Sequence, residues 1–310
     1  MSVVSLGELL IDFVALESGV TVGEASGFQK APGGAPANVA VATARLGHPS
    51  AFLGQVGDDP FGHYLKRVLN TEGVDLRGLR FTSEARTALA FVALVEGGER
   101  SFVFYRHPSA DMLMRPEDVQ LDIIDAHRIF HFGSITLINE PARSATLMAA
   151  QYARSRDKLI SYDPNLRLAL WPSAEAAREG MLTGMNYAHF VKINDEELEF
   201  LGGSVPALWR DEMQLIVVTH GAGGATIHTR QTQHHFPGYT VTPIDTTGAG
   251  DGFVAGLLVG IMEHPQDYLT QLEPILRFAN AVGALATTMR GAIPALPKRD
   301  AVDAFLRGPG

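Results

Sequence analysis

Short apolar runs alternate with longer stretches of helical periodicity through the middle and end of this chain. The clearest runs are rich in β-branched and aromatic residues, and each is followed by a polar or glycine-bearing loop. They are Arg128 to Phe132, Lys158 to Tyr162, His189 to Ile193 and Leu215 to Thr219. This alternation predicts an α/β fold with a mostly parallel central sheet and helices on both faces. Functional residues are then expected at the carboxyl ends of the strands.

Four further β-rich runs predict a small antiparallel sheet that forms a lid over the ligand pocket. They are Ile11 to Leu16, Phe28 to Lys30, Thr87 to Glu96 and Arg100 to Arg106. The last two are joined at Gly97-Gly98, which is a strong hairpin signal. We expect the lid to comprise about residues 12–32 and 86–107. Residues 1–310 should form a single domain, because no repeat, low-complexity tract or linker divides them.

The run from Asp245 to Phe253 places two carboxylates on either side of a glycine-rich turn that opens into an apolar helix. Gly248, Ala249 and Gly250 can present backbone N–H groups in that turn, and the positive end of the helix dipole further stabilises an anion. Asp251, in the first helical turn, could accept the proton of a substrate hydroxyl as that oxygen attacks phosphorus. The alternative role for Asp251 is that of a helix cap.

A matching element lies between Lys30 and Gly47. Pro36 suits the first turn of a helix and Gly47 its C-terminal end, so Gly33-Gly34 form the turn that leads into the helix. Asn38 then lies one turn into the helix, near the glycine pair. Its amide can both donate and accept hydrogen bonds, as a polyhydroxylated ligand requires.

Together, the two glycine elements resemble the signatures of the PfkB (ribokinase-like) carbohydrate kinases, and the likeness runs along nearly the whole chain. Three stretches are most similar to fructokinases: Ala31 to Ala40, Phe104 to Leu113, and Ser161 to Arg167 followed by Leu170 to Ser173. The resemblance implies a ribokinase-like fold and the reaction of ATP with D-fructose to give fructose 6-phosphate and ADP. Because the lid often makes a dimer contact in this family, we also expect a homodimer through the lid.

Three charged residues extend the expected sugar site. Asp12 follows the first strand, taken as Met1 to Leu10, and the resemblance implies that its carboxylate accepts hydrogen bonds from two sugar hydroxyls; a buried structural role is the alternative. Arg106 leaves the lid hairpin and Arg167 follows the strand that ends at Asp163, so both could direct positive charge into the cleft. The resemblance implies a phosphate or sugar contact for Arg167. For Arg106 the alternative is a surface salt bridge.

The resemblance also implies two ion sites. Asn194 and Glu197 lie three residues apart at the start of a helix and match the family's Asn-x-x-Glu motif, which holds Mg²⁺ and phosphate mostly through water. A site for a monovalent cation, expected to be K⁺, would be built from oxygen atoms, which suit a hard ion. Its residues are Asp245, Thr247, Ala286 and Gly291.

For the nucleotide, the glycine-rich strand end at Thr219, Gly221 and Gly223 could hold adenosine against its backbone; a plain hairpin turn is the alternative. Asn280 lies on a later helix and matches a family asparagine near the base, with a surface amide as the alternative. The chain has no Walker-type Gly-Lys-Thr and no Gly-x-Gly-x-x-Gly fingerprint. Dinucleotide binding is therefore not expected.

Composition agrees with a globular enzyme and excludes other classes. Hydrophobic residues make up 46% and charged residues 19% of the 310 residues. A formal net charge of −9 argues against general binding to nucleic acid or anionic membrane. Cysteine is absent, so disulfides and thiolate metal sites are excluded. The apolar start lacks a basic lead, and the longest apolar run, Phe253 to Met262, is shorter than a bilayer span. These features predict a cytoplasmic protein.

Other functions stay open on the sequence, including that of another PfkB sugar kinase. A kinase of 2-keto-3-deoxygluconate would need an arginine for the substrate carboxylate, and Arg106 and Arg167 could each supply one. A sugar- or nucleotide-binding regulator could keep the fold without turnover. The regulator is the weaker alternative, because Asp251, the glycines of the anion turn and the pair of Asn194 and Glu197 are all present.

Overall fold

The computed structural model of the protein describes residues 1–94 and 100–308, with the backbone alone at Leu94, Arg100 and Phe102. Its strands are β1 (Val3–Leu6), β2 (Leu10–Ser18), β3 (Phe28–Gly33), β4 (Ser50–Gly57), β5 (Leu79–Thr82), β6 (Leu89–Leu94), β7 (Arg100–Tyr105), β8 (Ile129–Gly133), β9 (Leu159–Asp163), β10 (Phe190–Asn194), β11 (Leu215–Thr219), β12 (Ala225–His228) and β13 (Gln233–Phe236).

Helices connect these strands. They are α1 (Ala35–Arg45), α2 (Pro60–Thr71), α3 (Leu121–Ala126), α4 (Ala142–Ser155), α5 (Ala174–Met185), α6 (Asp195–Phe200), α7 (Val205–Leu208), α8 (Ala249–Glu263), α9 (Leu272–Ala286), α10 (Ala292–Ala295) and α11 (Arg299–Arg307). Short 3-10 turns lie at Ala110–Leu113, Pro116–Asp118, Ile135–Leu137, Leu168–Leu170 and Gly221–Gly223. No helix in the described part of the chain is both long and apolar enough to span a membrane.

The described residues form a nine-stranded central sheet in the order β13-β12-β11-β10-β9-β8-β1-β4-β5. Its strands pair in parallel from β11 to β5, and antiparallel pairs add β12 and β13 at one edge. The mostly parallel α/β sheet predicted from the sequence is therefore confirmed. Three of the four predicted strands begin and end one residue later than expected, because a polar first residue precedes each apolar run. The fourth, Leu215–Thr219, matches its prediction.

Helices cover both faces of the sheet, as the alternation of buried residues in the strands requires. In β1, Val3 packs with the apolar side chains of α1, α8 and α9, whereas Val4 packs on the opposite face with those of α4 and α5. Likewise Ile129 of β8 faces the first group and Phe130 the second. Side chains that alternate between two apolar layers are typical of a sheet buried on both sides.

A second sheet of four strands, in the order β3-β2-β6-β7, forms the predicted lid. The outer pairs are antiparallel, but the central pair of β2 and β6 is parallel, so the lid is mixed. The reason is that β2 follows β1 and β6 follows β5. Both therefore enter the lid from the same edge of the central sheet. The predicted hairpin turn at Gly97-Gly98 lies outside the described residues.

The beginning of the chain differs from the sequence prediction. Met1 to Leu10 was expected to be one strand, with Asp12 following it at the start of the lid. The structure has two strands there, because β1 ends at Leu6 and β2 begins at Leu10 after a short turn. Asp12 consequently lies within β2, on the lid itself, paired with Ala31 of β3 and Ala90 of β6. The turn contains Glu8, a buried polar residue that interrupts the apolar run.

Because α8 packs closely on α9, we expect alanine to change the stability of the fold differently at two glycines of α8. A Cβ at Gly256 would lie 2.8 Å from the Cα of Ala279, a backbone atom that cannot move aside. We expect Gly256→Ala to destabilise the fold by about 1–3 kcal/mol. A Cβ at Gly252 would make ordinary contacts of 3.4 to 3.5 Å with side chains. Gly252→Ala should therefore be neutral or stabilising by up to about 1 kcal/mol, because alanine favours helix.

Urea unfolding of the two alanine variants and the unchanged protein measures this difference. Equal unfolding midpoints for the Gly256 and Gly252 variants would contradict the close approach of the two helices.

Candidate functional site

A pocket of about 820 Å³ lies at the carboxyl ends of the parallel strands, between the lid strands β2 and β3 and the turn before α8. This is the position expected for a ligand site in an open parallel sheet. Its lining includes many of the residues selected from the sequence: Asp12, Gly34, Asn38, Arg167, Asn194, Asp245, Thr247, Gly248, Gly250, Asp251 and Gly291. It also includes six charged residues that were not selected from the sequence as site residues: Glu8, Glu17, Lys30, Asp163, Lys192 and Arg290.

The glycine-rich turn before α8 has the shape of an anion site. Gly248 is the N-cap of α8 and adopts a left-handed conformation with φ 80°, which favours glycine. A Cβ at Gly248 would lie 3.0 Å from both Cα and Cβ of Ala292, and one at Gly250 would lie 3.2 Å from Nζ of Lys192. Both glycines therefore leave space that a side chain would fill. The backbone N–H groups of the first residues of α8 point out of the helix end that faces the pocket.

Asp251 lies one turn into α8, buried with 8% of its surface exposed. Its Oδ2 accepts a hydrogen bond of 2.7 Å from Nδ2 of Asn38 on α1. Burial raises the pKa of Asp251 to about 6, although the bond from Asn38 lowers it. The cap position of α8 belongs to Gly248, so Asp251 is not the N-cap of this helix.

A buried ion pair stands beside Asp251. Nζ of Lys192, in β10, lies 3.2 Å from Oδ2 and 3.4 Å from Oδ1 of Asp163, at the end of β9. Burial depresses the pKa of Lys192, but the charges of Asp163 and Glu197 outweigh it and leave the pKa above its ordinary value. The lysine is therefore charged, and its ammonium group lies next to Gly250 of the anion turn. One signal in the sequence could have revealed it, namely a lysine inside an otherwise apolar strand.

The opposite end of the pocket is shaped by the turn between β3 and α1. A Cβ at Gly33 would lie 2.1 Å from Oδ2 of Asp12, and one at Gly34, whose φ is 112°, would lie 2.3 Å from the carbonyl oxygen of Glu8. Glycine is thus required at both positions for the carboxylate and the backbone to approach. Oδ1 of Asn38 is buried here without a hydrogen-bond partner among the described residues. A ligand hydroxyl would satisfy that acceptor.

Glu8 stabilises the turn between β3 and α1 through a hydrogen bond. Its Oε1 accepts a hydrogen bond of 3.0 Å from the backbone N–H of Ala35, the first residue of α1. Burial raises the pKa of Glu8 to about 7, against the lowering effects of backbone hydrogen bonds and of Arg106. Arg106 itself is buried with 5% exposure and is paired with Asp111. It does not line the pocket, so the structure supports neither a direct ligand contact nor a surface salt bridge for Arg106.

The Asn-x-x-Glu pair forms the N-terminus of α6. Oδ1 of Asn194 accepts from the N–H of Glu197 at 2.8 Å, and Oε2 of Glu197 accepts from the N–H of Asn194 at 2.9 Å. Oε1 of Glu197 accepts from the N–H of Leu166 at 2.7 Å. Both carboxylate oxygens are thus engaged with backbone, and Glu197 lies behind the pocket wall. Asn194 lines the pocket, and Glu197 fixes the loop that carries Arg167 into it.

The expected cation site lies beside the anion turn. Oδ1 of Asp245 accepts from the N–H and the hydroxyl of Thr247, at 2.9 and 2.7 Å, and Oδ2 accepts from the N–H of Gly291 at 2.9 Å. Ala286 is the last residue of α9, where helix carbonyls lack partners within the helix. The four selected residues thus come from segments that meet at Asp245, with carboxylate and carbonyl oxygens suited to a hard cation.

The residues selected for adenosine lie outside the pocket lining. Thr219 ends β11, and Gly221 and Gly223 form a 3-10 turn that leads into the antiparallel strand β12. Asn280, on α9, is buried, and its Nδ2 donates to the carbonyls of Phe236 and Pro237 at 3.2 Å each. The structure therefore gives Asn280 a role in joining α9 to the segment after β13. It is not a surface amide.

Comparisons with known proteins show the family to which the chain belongs. Residues 1–299 match the model of the pfkB family carbohydrate kinases. Probable fructokinase-4 of Arabidopsis thaliana is 49% identical over 315 residues, which cover 99% of this chain and 97% of that protein. The chain therefore belongs to the pfkB family of carbohydrate kinases.

Two solved structures support the same assignment. A fructokinase from Xylella fastidiosa with bound ATP superposes with a TM-score of 0.92 at 36% identity, covering 99% of this chain and 98% of that one. A fructokinase double mutant from Vibrio cholerae with bound fructose, ADP and potassium ion superposes with a TM-score of 0.87 at 38% identity, covering 98% of each chain. The ribokinase-like fold expected from the sequence is thus confirmed.

The raised pKa of Glu8 predicts a pH dependence of stability. In the folded protein the pKa is about 7, above the ordinary 4.5, so the folded state holds this proton more tightly than the unfolded chain. The stability that Glu8 contributes is full below pH 4.5 and is lost as pH rises through 7. Glu8→Gln keeps an oxygen for the N–H of Ala35 and cannot ionise. We expect the fall in Tm between pH 5.5 and pH 8 to be smaller in this variant.

Melting curves of both proteins in matched buffers test the effect of Glu8. An identical fall in Tm would show that the Glu8 carboxyl does not change its charge in this range.

Proposed function

We propose that the protein is a fructokinase, which transfers the γ-phosphate of ATP to the 6-hydroxyl of D-fructose and releases ADP. The observation that carries this function is the bond between Asn38 and Asp251. It joins a sugar-binding helix to a buried carboxylate at the mouth of an anion turn, within one pocket. Membership of the carbohydrate kinase family and near full-length similarity to fructokinases support the same reaction.

Sugar binding uses the lid end of the pocket. The carboxylate of Asp12 accepts hydrogen bonds from sugar hydroxyls, and its position against Gly33 supports this role. Oδ1 of Asn38 accepts from another hydroxyl, which satisfies a buried oxygen that otherwise lacks a partner among the described residues. The glycine turn before α1 leaves the sugar close to Asp251. The reacting hydroxyl is thereby oriented toward the anion turn.

Phosphoryl transfer occurs between Asp251 and the turn at Gly248 and Gly250. The sugar oxygen forms a bond to the γ-phosphorus as the bond from that phosphorus to the β-phosphate oxygen breaks. The hydroxyl proton passes to the carboxylate of Asp251, which is mostly deprotonated at neutral pH because its pKa is about 6. The amides at the start of α8, the ammonium of Lys192 and the guanidinium of Arg167 stabilise the charge that develops on the phosphoryl oxygens.

The nucleotide brings Mg²⁺ as its counterion. Among the described residues no group of three or more carboxylate, imidazole or thiol side chains is placed to hold a metal. Asn194 lines the pocket, while Glu197 acts on Asn194 and on the loop of Arg167 through backbone hydrogen bonds. This donor set fits a magnesium ion held mainly by phosphate oxygens and water. When bound, Mg²⁺ neutralises phosphate charge. Thr219, Gly221, Gly223 and Asn280 remain the proposed surroundings of the adenosine.

A monovalent cation fits the segments that meet at Asp245. The carboxylate there already organises Thr247, in the anion turn, and Gly291, before α10. A potassium ion held by Asp245 and by oxygens of Thr247, Ala286 and Gly291 would tighten that arrangement. The turn that faces the phosphate would then be more rigid.

The lid offers a surface for a second copy of the chain. Leu16 of β2 and Tyr105 of β7 are 60% and 61% exposed, and Val103 of β7 is 41% exposed. Leu16 is at the pocket, whereas Val103 and Tyr105 lie on the opposite face of β7 from the pocket-lining Phe104, and exposed apolar side chains on a sheet commonly mark a protein interface. We expect a homodimer through the lid, in the cytoplasm where ATP is available.

One observation favours fructose over 2-keto-3-deoxygluconate. Recognition of a substrate carboxylate needs a free arginine in the pocket, and the sequence offered Arg106 and Arg167 for this role. Arg106 is buried behind the pocket and paired with Asp111. Arg167 lines the pocket near the anion turn and is needed for phosphate. Lys30 and Arg290 also line the pocket, but the carboxyl groups of Asp12 and Glu8 disfavour a substrate carboxylate at the lid end, so a neutral sugar fits it better.

The first prediction for this function concerns the substrate. Fructose should be phosphorylated with a kcat/KM at least about tenfold above ribose, a difference of roughly 1.4 kcal/mol in transition-state binding. A coupled assay of ADP release over a panel of sugars measures it. Equal or better turnover of 2-keto-3-deoxygluconate would replace fructose as the substrate.

The second prediction concerns the base. Asp251→Asn keeps the size of the side chain and removes its basicity, so kcat should fall by about 10² to 10⁴ with little change in ATP affinity. In the unchanged enzyme, kcat/KM should fall as pH drops below about 6, because Asp251 becomes protonated there. Tm, ATP binding and kcat are measured on one preparation. Turnover equal to that of the unchanged enzyme would remove Asp251 from the mechanism.

The third prediction concerns ions. We expect activity to require Mg²⁺ and to rise when K⁺ replaces a bulky organic cation at constant ionic strength, because an ion at Asp245 orders the anion turn. Initial rates in the two salts are compared at saturating fructose and ATP. Identical rates would refute the role of K⁺ and leave the requirement for Mg²⁺ untouched.

A further inference from the structure

Arg45, the last residue of α1, connects three segments that are far apart in the sequence. Its Nε and Nη2 donate to the two carboxylate oxygens of Glu72, each at 2.7 Å. Its Nη1 donates to the backbone carbonyls of Ile293 and Leu296, at 2.7 and 2.6 Å. Glu72 follows α2, and the two carbonyls belong to the second residue of α10 and to its C-cap, Leu296. The side chain is 14% exposed, so these bonds are largely shielded from water.

The two carbonyls that Arg45 holds differ, because that of Ile293 also accepts from the N–H of Leu296 at 3.3 Å, whereas that of Leu296 lies at the C-cap of α10. A helix of four residues leaves its last carbonyl oxygens without intrahelical partners, and a cation at that end is favourable. Glu72 orients the guanidinium through two parallel hydrogen bonds, and Arg45 in turn keeps the pKa of Glu72 below its ordinary value. The charge of this pair is therefore maintained at neutral pH.

The other end of α10 lies against the anion turn. Its first residue, Ala292, is close enough to Gly248 that a Cβ there would lie 3.0 Å from the Cα of Ala292. The residue before α10, Gly291, donates its N–H to Asp245. Asp245 also holds Thr247, one residue before Gly248. Hence the start of α10 packs against the glycine turn at Gly248 and restricts its position. Arg45 binds α10 at the opposite end.

We infer that Arg45 is a positioning residue for phosphoryl transfer, which acts by holding α10 against the glycine turn that receives the phosphate. The inference rests on the proposed kinase function. Displacement of the turn by even about 1 Å would weaken its hydrogen bonds to the transferring phosphoryl group more than it weakens sugar binding. The sugar contacts of Asn38 lie about two helical turns away from Arg45. The kinetic effect should therefore appear in kcat.

A matched arginine elsewhere separates this role from simple stabilisation. Arg210 also binds carbonyls at the end of a four-residue helix, with its Nη1 at 3.1 Å from Leu208 and 3.0 Å from Trp209. It is partly buried like Arg45, and it lies beside α7, outside the pocket lining. Arg45→Met and Arg210→Met thus both remove bonds to helix-end carbonyls, while Arg45→Met also removes the bonds to Glu72 and Arg210→Met one to the amide oxygen of Asn186.

The experiment first identifies the best sugar of the unchanged enzyme in the ADP-release assay, then compares the two variants on it. We expect both variants to melt at lower temperature. Arg45→Met should lose about 10- to 100-fold in kcat, with KM for the sugar within about threefold, while Arg210→Met keeps its kcat. Hydrogen exchange should speed up in residues 244–250 and 291–296 in Arg45→Met alone.

Each result has a definite meaning. Failure of the unchanged enzyme to phosphorylate any sugar would refute the proposed function, whereas the exchange measurement still tests whether Arg45 holds α10. An active enzyme whose Arg45→Met variant keeps its kcat, or whose Arg210→Met variant loses as much, would overturn the inference. Glu72→Gln leaves the two carbonyl bonds of Arg45 available and should lose less kcat than Arg45→Met. An equal loss would assign the effect to the ion pair and refute the carbonyl contacts.

If Arg45→Met does not fold, Arg45→Lys replaces it. Lysine keeps the positive charge but cannot make two parallel bonds to Glu72 while holding both carbonyls. An intermediate loss of kcat supports the positioning role. A kcat equal to that of the unchanged enzyme would overturn it.

Discussion

The pocket depends on one buried positive charge, the ammonium of Lys192. Three carboxyl groups, those of Asp163, Glu197 and Asp251, interact electrostatically with it, and all are buried. Burial favours the neutral form of each acid, and it raises the pKa of both Glu197 and Asp251. Lys192 opposes that effect on both acids while it bonds directly to Asp163. Without it, buried negative charges would lie close together with no ammonium group to offset them, a strongly unfavourable arrangement. In the proposed mechanism, the same ammonium group stabilises the negative charge of the phosphate that enters the cleft.

The position of the base is set by helix packing. Asp251 is on α8 and its partner Asn38 is on α1, so their 2.7 Å bond requires the two helices to keep a fixed relation. Small residues bring α8 close to its neighbours, because α1 is rich in alanine and α8 carries glycine at positions 256 and 260, where α9 approaches closely. A long, rigid helix on each side of the bond holds the carboxylate at a defined distance from the turn at Gly248. Catalytic geometry thus rests on ordinary apolar packing.

Local patterns in the sequence predicted the central sheet, the lid strands and both glycine turns, because each is encoded within a dozen residues. The parallel pairing of β2 with β6 was not predictable from the runs themselves, since it follows from where β1 and β5 deliver the chain. Arg106 was selected as a ligand contact and Glu197 as a residue that holds Mg²⁺ mostly through water; neither lines the pocket, and their partners are Asp111 and backbone amides. Sequence motifs select residues needed for the site, but tertiary contacts decide which of them reach the ligand. Glu8 was missed because its partner Ala35 is distant in the sequence.

The state of Asn38 offers a physical reason for preferring a sugar hydroxyl to water as the phosphoryl acceptor. One end of its amide donates to Asp251, and the other end is a buried oxygen without a partner among the described residues. An unsatisfied buried acceptor costs about 1–3 kcal/mol, which a correctly placed hydroxyl recovers. A polyol can satisfy this oxygen and the carboxylate of Asp12 with one rigid molecule, whereas separate waters would each have to be ordered. Binding energy from the sugar's other hydroxyls is therefore directed to orienting the one that reacts.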